Sequence, residues 1–526
     1  MPRSRTERGL LLAAVLAILT LFGSSAAQAQ KPPTPNKAAS GTASSLAAAK
    51  SQMDDGDLIA SENTLWSILT EKPDNQDALT MLGIVRGRQG RHPEAEALFR
   101  RVLQLNPKSI VASKNLANAL LAEDKPEDAI RQYSQTIQLT PQDSGLRIVL
   151  AKLQLERGDF AGALTTVEGI GGARLPMAAV PLKAAALLGV GRRADAQALI
   201  PQVKANPGTA LDLATVFVEA NDSAGALKTL GLLHPVPKNL AAQVYYLQGR
   251  AFRQQGDAAD AMSNFRQALT ADPKSAETLV AMAEVFASEK KHGDSLAMLE
   301  KARALNPDSK DVLRYLIREA MQAGQNDRGL EAAQELQRKS KDLDDRYLVA
   351  TVMVQQKQFT PAAHILEDYV AQRPEDAKAY LGLGMAYLSL LRYADARPAL
   401  EHSLRLDPNI AESWYQLGLL AGQQGNWQEA IQNWKKAVAL KPDHAQALFF
   451  LGTRYLESGE LAEAESAFRG SLAADPNNMK TEYDLALVLN KLGKPDEAKQ
   501  HFDRYNKLQE SEHATAGNSP TAPNQP

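Results

Sequence analysis

The sequence predicts an all-α protein, a helical hairpin repeated about fourteen times along 526 residues. Three observations predict it. The first is a proline ruler. Pro73, Pro107 and Pro141 stand 34 residues apart, as do Pro273 and Pro307, and then Pro374, Pro408, Pro442 and Pro476. The steps Pro141–Pro207 and Pro207–Pro273 are 66 residues and Pro307–Pro374 is 67, which reads as double steps with one proline missing or displaced. The second is that small and aromatic residues keep the same phase. Twenty-four residues before the prolines come Gly83, Gly249, Gly384, Gly418 and Gly452, and twelve before come Ala95, Ala129, Ala261, Ala362, Ala396, Ala430 and Ala464. Eight before come Phe99, Tyr133, Phe265, Trp434 and Phe468. The third is a turn signal inside each unit, as in GRQGRHPEA at 87–95 and GQQGNWQEA at 422–430.

Taken in chain order, residues 1–29 read as a secretory signal peptide. Arg3, Arg5 and Arg8 make a basic start, Leu10–Phe22 is mostly Leu, Ala, Val and Ile, and Ala27-Gln28-Ala29 fits a small-residue cleavage site. Thirteen helical residues reach about 20 Å, short of the ~30 Å hydrocarbon core. The other reading is an uncleaved anchor, with Gly23 to Ala27 extending the span. Cleavage after Ala29 leaves no integral membrane span and a mature chain with 56 basic against 60 acidic residues. Residues 30–45 are rich in Pro, Ala, Ser and Thr with no apolar period, and 511–526 carry Pro520, Pro523 and Pro526; both are expected to be disordered.

Between these ends lie an N-terminal array over 46–175, a divergent stretch over 176–240 and a C-terminal array over 241–510. Within each unit the pattern implies two amphipathic helices. Small residues let the pair cross closely, the aromatic fills the gap, and proline stands at the junction where a missing N–H costs least. In 176–240, Pro181 and Pro201 fall where helix interiors are due, Pro235 and Pro237 crowd a junction, and Gly169, Gly171 and Gly172 precede it. Shortened or kinked helices are expected there, either as a hinge between stiffer arrays or as diverged repeats.

The units resemble the tetratricopeptide repeat (TPR) family. Its W-x2-L-G-x2-Y, A-x3-F and P pattern is met by Trp414, Leu417, Gly418, Ala430, Trp434 and Pro442, and again by Leu451, Gly452, Tyr455, Ala464, Phe468 and Pro476. The resemblance implies a right-handed superhelical solenoid. It also implies that each repeat's first helix lines a concave channel that holds another polypeptide. A unit this small buries too little to fold alone, so stability rests on contacts between neighbours.

Family geometry places the channel-lining side chains mainly at the second, fifth, ninth and twelfth positions of the first helix. The fifth positions of the last five units are then Tyr347, Leu381, Tyr415, Phe449 and Tyr483, and ninth positions add Met385, Leu419 and Leu487. Two readings stand: a partner-binding ladder, or side chains buried by tight coiling. Arg250, Arg314 and Arg318 take equivalent places further up the chain, where they either grip carboxylates of a partner or belong to a charge-balanced wall. Lys114 and Asn118 match two members of the family's carboxylate clamp, but Val149 stands where the third is due.

Little points to chemistry. Lys and Arg number 59 against 61 Asp and Glu, a net charge of −2, which gives no sign of a nucleic-acid partner. There is no cysteine, so disulfides, thiolate metal sites and cysteine nucleophiles are excluded. No two of the eight histidines lie three or four residues apart. Gly189–Ala194 fits a loose G-x-G-x-x-A fingerprint but follows an Ala/Leu helix, and Ser288–Lys291 fits S-x-x-K without partner motifs. The expectation is a non-enzymatic scaffold or adaptor without metal or cofactor, exported to the periplasm or beyond, binding proteins or peptides of a bacterial-type envelope. A periplasmic subunit of an exopolysaccharide or protein secretion machine and a glycan-binding module are the alternatives. Partner identity and oligomeric state are not written in the sequence.

Overall fold

The structure, a computed structural model, describes residues 37–171 and 174–517. The signal peptide expected over 1–29 lies outside the described residues, as do 30–36 and 518–526. Among the described residues, 28 α-helices form fourteen consecutive hairpins and no strand occurs. The first pairs Lys37–Asp54 with Leu58–Glu71 and the last pairs Met479–Lys491 with Pro495–Gly517.

One hairpin shows how the sequence makes the unit. Asn75 caps the helix Gln76–Arg88, its side chain accepting from the Ala78 N–H at 2.9 Å. Gly90 takes φ +77°, which lets the Arg91 N–H reach back to the Arg86 carbonyl at 2.9 Å and close the helix. Pro93 then stands in the first turn of His92–Leu105. Five other turns place Asp124, Asn221, Lys290, Lys357 or Leu391 in the left-handed position instead of glycine. Leu391 is the aliphatic one, and its side chain is 67% exposed.

The phase of small and bulky residues is a contact. A Cβ on Gly83 would come within 2.6 Å of Phe99, and one on Gly418 within 2.3 Å of the Trp434 Nε1. Phe99 and Trp434 are buried, so only glycine lets the two helices of those hairpins approach this closely. Where the aromatic is missing, Leu400 fills the same place against Gly384.

The chain forms two compact units, one ending at Ala281 and one beginning at Met282. In the first, one buried cluster runs from Ala49 to Leu150 and another from Ala163 to Ala251. The divergent stretch lies inside this unit. Its second helices are short, Arg193–Gln197 and Ser223–Leu230, supplemented by 3-10 turns at Ile200–Val203 and Gly231–Leu233, while its first helices are the ten-residue Val180–Gly189 and the full-length Pro207–Glu219. Pro181 and Pro201 do not interrupt helix interiors. Each stands in a first turn, where no donor is needed, because the flanking helices have shortened to meet it.

The expected spacer and tail also need correction. Within 30–45 the backbone is helical from Lys37 onward, and within 511–526 it is helical as far as Gly517. The first of these helices is alanine-rich and buries Ala49 and Met53. The second runs from Pro495 to Gly517.

In the second unit, clusters around Trp434 and around Phe468 form the core of its last hairpins. In both units first helices approach the next first helix. Gln76–Arg88 packs on Ile110–Ala122, and Ala377–Ser389 packs on Leu343–Gln355 and Ala411–Gln423, with no comparable approach between successive second helices among the described residues. A stack whose first helices are the closer set curves with those helices on its inner side.

Candidate functional site

The inner side of the second unit carries the predicted ladder, but its rungs differ. Tyr347 is half-buried and stacks on Tyr369 with ring centroids 5.0 Å apart. Leu381, Met385, Leu419 and Leu487 are half-buried, and Tyr483 is 41% exposed beside Phe502 and Tyr505. Tyr415 and Phe449 are only 9% exposed. Tyr415 is covered by His444, 4.8 Å away, and by Phe450, and Phe449 packs on Phe450 and Phe468. Burial pushes the Tyr415 phenol well above its ordinary value, with the Glu412 carboxylate adding to the shift.

His444 explains the local closure. Its Nδ1 accepts from the Ala447 N–H at 3.3 Å, capping Ala445–Ser458, while its Nε2 lies 3.3 Å from the Glu412 carboxylate. The ring is thereby held against Tyr415, tilted by 43° to it.

Two of the three predicted arginines are already occupied. Arg250 donates to Glu219 at 2.7 Å and lies over the Tyr246 ring. Arg314 grips both oxygens of Asp345, at 2.5 and 2.8 Å, and donates to Asp311 as well. Burial alone would raise the Asp345 carboxyl, but the hydrogen bonds from Arg314 and Ser340 outweigh it and hold it below the ordinary carboxylate range. Arg318 is exposed, without an ion pair among the described residues.

The first unit holds a group the sequence reading passed over. Lys152, Glu156 and Asp212 carry no hydrogen bond or ion pair among the described residues. Glu156 and Asp212 are exposed, and partial desolvation by the chain around them still pushes their carboxyls up, with Lys152 opposing the shift at both. The repeat phase contained the signal, because Lys152 is the ninth residue and Glu156 the thirteenth of a unit counted as the ladder was counted. Among the described residues no group of three or more His, Asp or Glu could hold a metal ion, and no helix is long and apolar enough to cross a membrane.

Comparison with known proteins finds the repeat in the sequence as well. Models described as tetratricopeptide repeat match residues 88–133 and 120–174, and 46–110 and 211–276. A model described as the cilia and flagella-associated protein 70 C-terminal domain matches 321–519. The chain belongs to the tetratricopeptide repeat family. TPR folds are typically scaffolds for binding other polypeptides. Cellulose synthase operon protein C of Pseudomonas fluorescens (strain SBW25) is 22% identical over 278 residues, which is 50% of this chain and only 20% of that protein. Among solved structures, the APC/C hetero-tetramer Cut9–Hcn1 matches with a TM-score of 0.41 and 14% identity over 88% of this chain and 92% of that one. YrrB, described as a TPR protein with an unusual peptide-binding site, matches with a TM-score of 0.30 and 21% identity, over 35% of this chain and 95% of that one.

Proposed function

We propose that this TPR protein is a non-catalytic scaffold or adaptor of the bacterial cell envelope that holds partner polypeptides along the inner side of its repeats. The observation that carries the reading is the half-buried row Leu381, Met385, Leu419 and Leu487, flanked by Tyr347 and Tyr483, on first helices of the second unit. Apolar side chains left partly open on a curved inner wall suit an extended or helical segment lying across several repeats. Tyr415 and Phe449 support that wall from behind. Export rests on the basic start, apolar run and A-x-A of residues 1–29.

Affinity capture from envelope extract tests this, comparing wild type with Met385→Glu/Leu419→Glu/Tyr483→Ala and checking helicity by circular dichroism. A protein held by the wild type and lost by the folded variant is expected. Retention by both would remove the second unit's inner wall from the function.

A second reading has one specific observation behind it, the likeness to a cellulose synthase operon protein. It makes the chain a periplasmic TPR subunit of an exopolysaccharide or protein secretion machine. Recovery of synthase or secretion components in the same capture would favour it. The open aromatics also leave room for a glycan-binding role, which saccharide binding that depends on Tyr347 and Tyr483 would support.

A further inference from the structure

We propose that the inner wall of the second unit takes an acidic stretch of the partner polypeptide, with two carboxylates about eight residues apart and apolar side chains between them, and that Lys378 and Lys480 receive those carboxylates. This rests on the groove reading above and names the chemistry of its occupant. Each lysine is the second residue of a first helix, Ala377–Ser389 or Met479–Lys491. Leu381 and Met385 follow on the same face of one helix, and Tyr483 and Leu487 on the same face of the other. Each lysine therefore heads a stripe that carries part of the open apolar row.

The two ammonium groups work against their own helices. At the same position other first helices carry an acid, as with Asp77, Glu277, Asp311, Asp344 and Glu412, which suits the positive end of the helix dipole. Lys378 and Lys480 put a cation there instead, and both are exposed without an ion pair among the described residues. The acids around them do not supply one. Asp376 accepts from the Lys378 and Ala379 N–H groups and from the Tyr369 hydroxyl. Glu412 is held by His444 and Gln416, and Asp484, one turn beyond Lys480, makes no ion pair with it. The Lys480 ammonium lies 5.1 Å from the centre of the Phe449 ring in the preceding first helix, which keeps it at the wall.

An anion from outside would gain from the ammonium and the helix N-terminus together. Three helix-to-helix steps separate the lysines, roughly 27 Å at about 9 Å per step. An extended chain covers that in about eight residues, and an even spacing turns both carboxylates and every second residue between them to one side. Apolar residues on that side would meet Leu381, Met385, Leu419 and Leu487, all half-buried.

The probe is a fluorescein-labelled peptide of alternating Ser and Leu in which two Leu, eight residues apart, are replaced by Glu. It is titrated into the full chain by fluorescence anisotropy beside the same peptide with Lys in both places and one with the two Glu only two residues apart. The widely spaced Glu peptide is expected to bind, the Lys peptide not to, and the closely spaced one to bind several-fold more weakly. Lys378→Met/Lys480→Met should weaken binding about tenfold. Its helicity should be kept and its thermal midpoint should be no lower, because the helices lose an opposed charge. Lys301→Met/Lys499→Met removes two exposed lysines from second helices of the same unit and should leave affinity as it was. The proposal is overturned by failure of the Glu peptide to bind, by equal binding of the Lys peptide or of the closely spaced one, by an indifferent Lys378/Lys480 variant, or by equal weakening in the Lys301/Lys499 control. Capture of a partner that depends on Met385, Leu419 and Tyr483 but not on Lys378 and Lys480 removes this proposal and leaves the groove reading standing.

Discussion

Two stretches of the chain solve the same stacking problem differently. From Leu343 to Ala474 every helix keeps thirteen or fourteen residues, in strict register. Between 176 and 240 second helices shrink to five and eight residues, yet Ile200, Val203, Phe217 and Leu230 are as buried as anything in the regular repeats. The 3-10 turn Ile200–Val203 delivers two core side chains where a longer helix would otherwise have done so. Stacking thus requires a small face against a bulky one, not a fixed helix length. What the two stretches present inward also differs. The regular one offers Tyr347, Leu381, Met385 and Leu419, and the divergent one offers the smaller Pro181 and Ala185, all of them half-buried.

The largest expected effect is on the regular stretch. Trp434→Ala removes a side chain that is 1% exposed and should cost about 3–5 kcal/mol in denaturant unfolding. Hydrogen exchange should accelerate over 411–474 and stay unchanged in the first unit, because repeats respond through their neighbours. Uniform loosening of both units would break the comparison.

Asp345→Asn comes next, at about 2 kcal/mol near neutral pH, since Asp345 is 3% exposed and its bonds to Arg314 are charge-assisted. The sign with pH follows from its depressed carboxyl. The stabilisation is present above the unfolded-state value and is lost as pH falls through the folded-state value, so wild type and variant should converge in acid. Thermal midpoints measured from pH 7 downward check this.

Leu391→Gly should stabilise by about 0.5–1 kcal/mol, because it relieves a left-handed leucine that buries little. A loss of stability would mean that Leu391 has contacts beyond the turn. The smallest effect belongs to the divergent stretch. Asp212→Asn should raise the thermal midpoint slightly near neutral pH, with the difference vanishing in acid. A carboxyl raised in the folded state favours folding at low pH and opposes it once ionised. The first unit's free carboxylate and the second unit's gripped one should therefore move stability in opposite directions as pH rises.

Much of the architecture could be read without coordinates, and the reason is physical. Gly418 and Trp434 are partners within one hairpin, sixteen residues apart, so their spacing alone brings them together. Tyr415 and Phe449 were harder to place, because their burial depends on how tightly successive first helices close. That closure is set by side chains such as His444 and Phe450 in the next repeat. The sequence leaves Arg314 between a partner's carboxylate and a charge-balanced wall for the same reason, since Asp345 stands 31 residues away in the following hairpin. Helix from Lys37 was masked by composition, since Ala and Ser serve a docked helix as readily as a spacer.

The close glycine-to-bulk contacts of Gly384, Gly418 and Gly452 are each completed inside one hairpin, and this makes the length of that array editable. An in-frame excision of residues 411–444, one 34-residue block, would join Ile410 to Ala445 and present the helix Ala445–Ser458 where Ala411–Gln423 had been. The Gly384–Leu400 and Gly452–Phe468 contacts on either side of the cut would be untouched. Duplication of the same block would extend the array by one step. Reach is thus a quantity that recombination can change in whole repeats, while each hairpin's own packing stays as it was.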